Sequence, residues 1–170
     1  TLLNTLASAG AYVDDRLFAT LDTKTRLLHL DAGRDVLLSD TVGFIRHLPH
    51  GLVASFQSTL DVAVDAHILL VVADASHPYV EDHLGVVQET LVQIGADTVP
   101  SILLLNKIDC VEDPGELERL RARFPDAHFL SAKDGSGLQE LKTLLLVGLT
   151  QDGGFVKPTP AVADEPWMDE

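Results

Sequence analysis

Three short polar clusters in this chain carry residue types that could do chemistry: Asp40-Thr41-Val42-Gly43, Asn106-Lys107-Ile108-Asp109 and Ser131-Ala132-Lys133. Each follows a short apolar run. A carboxylate at Asp109 can accept two hydrogen bonds from the N1–H and exocyclic amine of guanine, an edge that adenine does not present because its N1 is an acceptor. Asn106 can tie neighbouring loops together, the stem of Lys107 can cover one face of a base, and the backbone of Ser131, Ala132 and Lys133 can offer an amide to guanine O6. Together these residues describe a base pocket. At the first cluster, Asp40 can hold a magnesium ion through water, and Gly43 lets its amide approach a terminal phosphate closely. Thr20, in LFATLD, is a candidate further magnesium ligand, set against a plain solvated-loop reading because Thr23 and Thr25 share its stretch.

Clusters so far apart in sequence meet only if several strands end on the same side, as they do in an open α/β sheet, where ligands bind beyond the carboxyl ends of the strands. The apolar pattern predicts such a sheet. Leu2, Leu3 and Leu6 share a helical face, and Gly10 can end that helix; polar residues follow from Asp14 to Arg26. Residues 26–30 and 35–39 predict a hairpin turning at Gly33. Leu52, Phe56, Leu60 and Val64 recur every four residues, as one helix face does. A buried strand over 67–74 precedes a helix marked by Val80, Leu84, Val87, Leu91 and Ile94 and closed at Gly95. A strand over 101–109, a helix over 115–124, a strand over 127–132 and a helix over 137–149 complete the alternation. Continuous apolar strands between helices imply a mainly parallel sheet covered on both faces.

At 170 residues and 46% hydrophobic composition, the chain suits one domain, expected over 1–149, followed by an acidic, proline- and glycine-rich tail over 150–170 expected to be disordered. A net charge of −14 argues against a general binder of DNA or of a membrane surface. The single cysteine, Cys110, cannot form an internal disulfide and reads as a small packing residue; no apolar run approaches the roughly 20 residues that span a bilayer, and the chain reads as cytoplasmic. His47 and His50 have metal-like spacing but lack carboxylate or cysteine company, so they read as solvated. Arg119, Arg121 and Arg123 share their helix with Glu116 and Glu118 and read as a solvated helix face rather than an RNA contact.

The order DTVG, NKID, SAK resembles the GTPase domain of the P-loop class, and LFATLD followed by DTVGFIRHLPH resembles, more narrowly, the HflX family of ribosome-associated GTPases. The likeness covers residues 1 to about 149. It implies an α/β fold, a three-layer Ras-like sheet with helices on both faces. It also implies hydrolysis of GTP with Mg2+ and a partner in the large ribosomal subunit. Gly43 and Phe44 would then stand at the catalytic end, with Phe44 where many GTPases place a water-orienting glutamine; Phe44 also suits an apolar anchor. The first residues resemble the helix that follows the phosphate-binding loop, so that loop and the first strand are expected upstream of residue 1. The 170 residues alone are then expected to bind GTP poorly. A non-catalytic binding module or inactive fragment, and a ribosome-assembly GTPase of a sister family, remain the alternatives.

Overall fold

The computed structural model describes residues 2–6, 24–30, 34–40 and 62–150. In chain order these form helix α1 (Leu2–Leu6), strands β1 (Lys24–Leu30), β2 (Arg34–Asp40) and β3 (Leu69–Asp74), and helix α2 (Val80–Gln93). Strand β4 (Ser101–Asn106), a 3-10 turn at Ile108–Cys110, helix α3 (Pro114–Arg123), strand β5 (His128–Phe129) and helix α4 (Leu138–Thr150) follow. Strands β3, β4 and β5 lie side by side and parallel, with Asp74 level with Asn106 and Leu104 level with His128. Strands β1 and β2 pair antiparallel, from Lys24 opposite Asp40 to Leu30 opposite Arg34. The turn expected at Gly33, the helix end expected at Gly10 and most of the helix expected over 52–64 lie outside the described residues; residues 62–64 are helical.

Side chains alternate along the parallel strands, so each face of the sheet collects its own partners. Ile102, Leu104, Ile68 and Leu70 pack with Leu138, Leu141 and Leu145 of α4, with Leu6 of α1, and with Leu28, Leu30, Val36 and Leu38 of the hairpin. Ala73, Leu105 and Phe129 pack instead with Val80 and Leu84 of α2 and Leu120 and Phe124 of the α3 segment. Leu69 and Val71 continue that layer under Val87 and Leu91. Among the described residues no ladder joins the hairpin to the parallel sheet, so side-chain burial docks it. Full burial of a leucine is worth about 1.5–3 kcal/mol, which makes Leu28 and Leu30, 1% and 6% exposed, the main anchors.

Element boundaries follow local chemistry. Helix α3 begins where Asp113 caps it by accepting from the Gly115 amide at 2.8 Å, with Pro114 in the first turn. Helix α2 closes at Gly95, whose φ of +75° suits glycine. Three of the shifts in expected bounds have a clear local cause. Strand β1 starts two residues early, because polar Thr25 still pairs across the hairpin and its hydroxyl meets that of Ser39 at 2.9 Å. Strand β4 stops at Asn106, since Lys107 takes a left-handed backbone conformation that no strand continues. Strand β5 shrinks to two residues, since the Ser131 amide turns to the Ser136 carbonyl at 2.9 Å and leaves the ladder. No helix among the described residues is long and apolar enough to cross a membrane.

Candidate functional site

Asn106, the last residue of β4, ties three segments together. Its carbonyl accepts from the Ala75 amide at 2.8 Å, and its side-chain oxygen accepts from the amides of Lys107 at 2.8 Å and Ala132 at 3.0 Å. An amide oxygen has two lone pairs, and both are used. The bond to its neighbour holds Lys107 at φ +66°, which costs a non-glycine residue about 1–2 kcal/mol. That kink feeds the 3-10 turn, where the Cys110 amide donates to the Lys107 carbonyl at 2.9 Å, and so delivers Asp109 beside the loop after β5.

Ser131 is fully buried and completes the pairing. Its hydroxyl donates to Asp109 Oδ1 at 2.7 Å and accepts from the amides of Lys133 and Asp134, each at 3.3 Å. Only 14% of the Asp109 side-chain surface is exposed, while Lys133, its side chain 82% exposed, brings its ammonium to 3.6 Å from Oδ2. The Ser131 bond holds the Asp109 carboxyl below its ordinary value, with burial opposing it. Cys110 is exposed and not the packing residue its sequence context suggested, its thiol donating to Asp109 Oδ2 at 3.5 Å; partial loss of hydration and the neighbouring Asp109 carboxylate push the thiol up.

The loop after β5 is closed by its own polar groups. Asp134 accepts from the Ser136 amide at 2.8 Å, and His128 Nε2 donates to the Gly137 carbonyl at 2.6 Å. Gly137 has φ +76°, and a Cβ there would lie 2.5 Å from the Phe129 carbonyl oxygen. Across the fold, Thr5 of α1 donates to the Ala132 carbonyl at 3.0 Å.

The structure thus brings Asn106, Lys107, Asp109, Ser131, Ala132 and Lys133 into one hydrogen-bonded cluster. The Ala132 amide already serves Asn106, which leaves the Lys133 amide, on its longer bond, as the freer donor. Asp40 stands exposed at the end of β2. Thr20, Gly43, Phe44, His47 and His50 lie outside the described residues. Among the described residues no group of three or more His, Cys, Asp or Glu could hold a metal ion; Mg2+, which takes one or two carboxylates together with substrate phosphates and water, suits an exposed strand-end carboxylate such as Asp40. Arg119 pairs with Glu81 and Glu116, Arg123 with Glu81, and Arg121 lies 4.5 Å from the centroid of the Phe129 ring. Two residues that the sequence reading passed over also reach the cluster: Asp74, at the end of β3, meets Lys107 Nζ at 2.6 Å and is itself bonded by Ser76. An acid closing an apolar strand was the same signal that marked Asp40.

Residues 1–107 match the family of 50S ribosome-binding GTPases, and the relatives that align along most of the chain bear the name GTPase HflX. The chain belongs to the HflX group of these GTPases. It is 47% identical over 146 residues to GTPase HflX of Gluconacetobacter diazotrophicus, covering 86% of this chain and 32% of the relative. It is 41% identical over 142 residues to that of Escherichia coli, covering 83% and 33%. The chain therefore spans about a third of the length of these HflX relatives. A GTP-binding protein of Sulfolobus solfataricus in complex with GDP superimposes with a TM-score of 0.59 at 27% identity, over 73% of this chain and 43% of that one. Aquifex aeolicus Era, at 19% identity and a TM-score of 0.62 over 89% and 52%, shares the fold. The fold is that of the P-loop GTPases, an α/β sheet with helices on both faces, as the strand-end motifs implied.

Proposed function

We propose that this chain is the guanine-reading part of an HflX-type GTPase that binds and hydrolyses GTP with Mg2+ and acts on the large ribosomal subunit in the cytoplasm, with residues 1–149 as its GTPase domain. The observation that carries this reading is the Asp109 carboxylate, braced on one oxygen by buried Ser131 and kept ionised at neutral pH. An acceptor held in place before ligand arrives loses little freedom on binding, and guanine presents the two donors that match it.

In this mechanism Asp109 accepts from the base, Asn106 holds Lys107 and the 131–133 loop around it, and the Lys133 amide donates to O6. Asp40 and Thr20 would hold Mg2+, which when bound neutralises charge on the phosphates. The Gly43 amide would approach the terminal phosphate, and Phe44 would not orient the attacking water, because a phenyl ring forms no hydrogen bond to it. Intrinsic hydrolysis is then slow, and a ribosomal partner or backbone groups complete the site. Base contacts alone do not offset an association cost of about 4–15 kcal/mol, so the 170 residues by themselves bind Mg-GTP more weakly than micromolar. Calorimetric titration showing micromolar affinity would contradict that last point.

The base reading is tested in a chain extended upstream of Thr1 with the phosphate-binding segment of the Escherichia coli relative. Asp109→Asn turns an acceptor into a donor facing a donor, and guanine affinity falls by about 10- to 150-fold. Xanthine nucleotides, with a carbonyl in place of the amine, gain correspondingly. Equal weakening of GTP and XTP in competition binding would return Asp109 to a structural role.

A further inference from the structure

We propose that Asp74, aimed by Ser76, is a positioning residue for Lys107, so that the turn after β3 is a third segment of the base pocket beside those after β4 and β5. The idea rests on the guanine reading above and extends it to residues that touch no base. Asp74 sits level with Asn106 in the ladder, one strand over, so the two strand ends present their side chains at the same edge of the sheet. Both oxygens of Asp74 are committed. Oδ1 accepts from the amide and hydroxyl of Ser76 at 3.0 and 2.7 Å, which fixes the plane of the carboxylate, and Oδ2 accepts from Lys107 Nζ at 2.6 Å.

Lys107 therefore has both its ends held. Its amide is bonded by Asn106 in a left-handed backbone that the residue would not adopt unaided, and its ammonium is drawn to Asp74. A four-carbon stem fixed at both ends is a ready surface for one face of a flat base, whereas a free lysine must lose its rotamer freedom when the base arrives. The charges agree with the geometry. The Asp74 bond raises the Lys107 ammonium above the ordinary lysine value, with burial opposing. Burial pushes the Asp74 carboxyl up, yet the bonds from Lys107 and Ser76 outweigh it and leave the group below its usual range. Asp74 is 28% and Lys107 55% exposed, so the contact is a partly screened pair whose value lies in orientation more than in stability.

The test uses the same upstream-extended chain, with isotope-labelled lysine, read by NMR. In the wild type Lys107 titrates above the ordinary lysine value, and Asp74→Asn brings it down to the ordinary range. GDP, with ADP as control, is then titrated in and followed on the amides of Asp109 and Ser131. Asp74→Asn and Lys107→Met each weaken GDP about two- to fivefold, and the double variant weakens it no further than either alone. Ser76→Ala, which leaves the charge and frees the carboxylate to rotate, gives a smaller loss in the same direction and serves if Asp74→Asn does not fold. Additive losses in the double variant, or a Lys107 titration that ignores Asp74, would overturn the positioning role alone. Absence of any GDP-specific shift at Asp109 and Ser131 in the wild type would overturn the guanine reading, and the nucleotide half of the proposal with it.

Discussion

The loops around Asn106 and the β1–β2 hairpin both carry polar residues at strand ends, but they are built in opposite ways. The loop cluster is held by side-chain oxygens: Asn106, Asp109, Ser131 and Asp134 accept or donate at nearly every turn, and Ser131 has no exposed surface. The hairpin is held by its backbone ladder and one apolar face, while the opposite face stays open, with the cross-strand pair Leu27 and Leu37 45% and 73% exposed. Its polar pairs, Thr25 with Ser39 and His29 with Asp35, are exposed. A loop that reads a base needs its acceptors aimed in advance, and only hydrogen bonds give direction. A strand that merely delivers an acid to its end can be fixed by burial, which has none.

The largest break in this comparison should come from Leu28→Ala. It empties the hairpin's main anchor and is expected to cost about 2–5 kcal/mol by urea unfolding, while the amide signals of the 131–137 loop keep their positions in the folded protein. Movement of those signals would show that hairpin and loops are not independent. Next is Gly137→Ala, where a Cβ meets a backbone carbonyl and a φ that disfavours side chains; a loss of about 1–3 kcal/mol is expected, with the Ser131 and Asp109 signals displaced and the hairpin unmoved.

Smaller effects sharpen the contrast through charge. Hydrogen bonds from Arg119 and Arg123 hold the Glu81 carboxyl below its usual value despite burial, and Asp74 is also lowered. Both groups bind fewer protons folded than unfolded, so the stability they give is complete above the unfolded carboxylate range, near pH 4, and is lost as pH falls through their folded values. Glu81→Gln should cost less than about 1 kcal/mol at pH 7, because Glu81 is 38% exposed and Arg119 keeps Glu116, and it should flatten the acid side of a stability–pH curve. Smallest of all, Leu37→Ser on the open hairpin face should shift stability by no more than about 0.5 kcal/mol, and a larger loss would mean that this face is covered in solution.

By itself the sequence determined the alternation of strands and helices, because apolar spacing records which face is buried, and Leu104, Leu138, Leu141 and Leu145 pack as that spacing requires. It also determined which strand ends carry chemistry, since an acid or amide closing an apolar run can be read without coordinates. Only the tertiary structure decided how those ends join. Asn106 divides its oxygen between residues 107 and 132, Ser131 braces Asp109 across 22 positions, and Asp74 reaches Lys107 across 33. Nothing in local composition encodes such pairs: they follow from the parallel register that sets Asp74 level with Asn106 and from the left-handed kink at Lys107, both settled when the sheet forms and its neighbours pack.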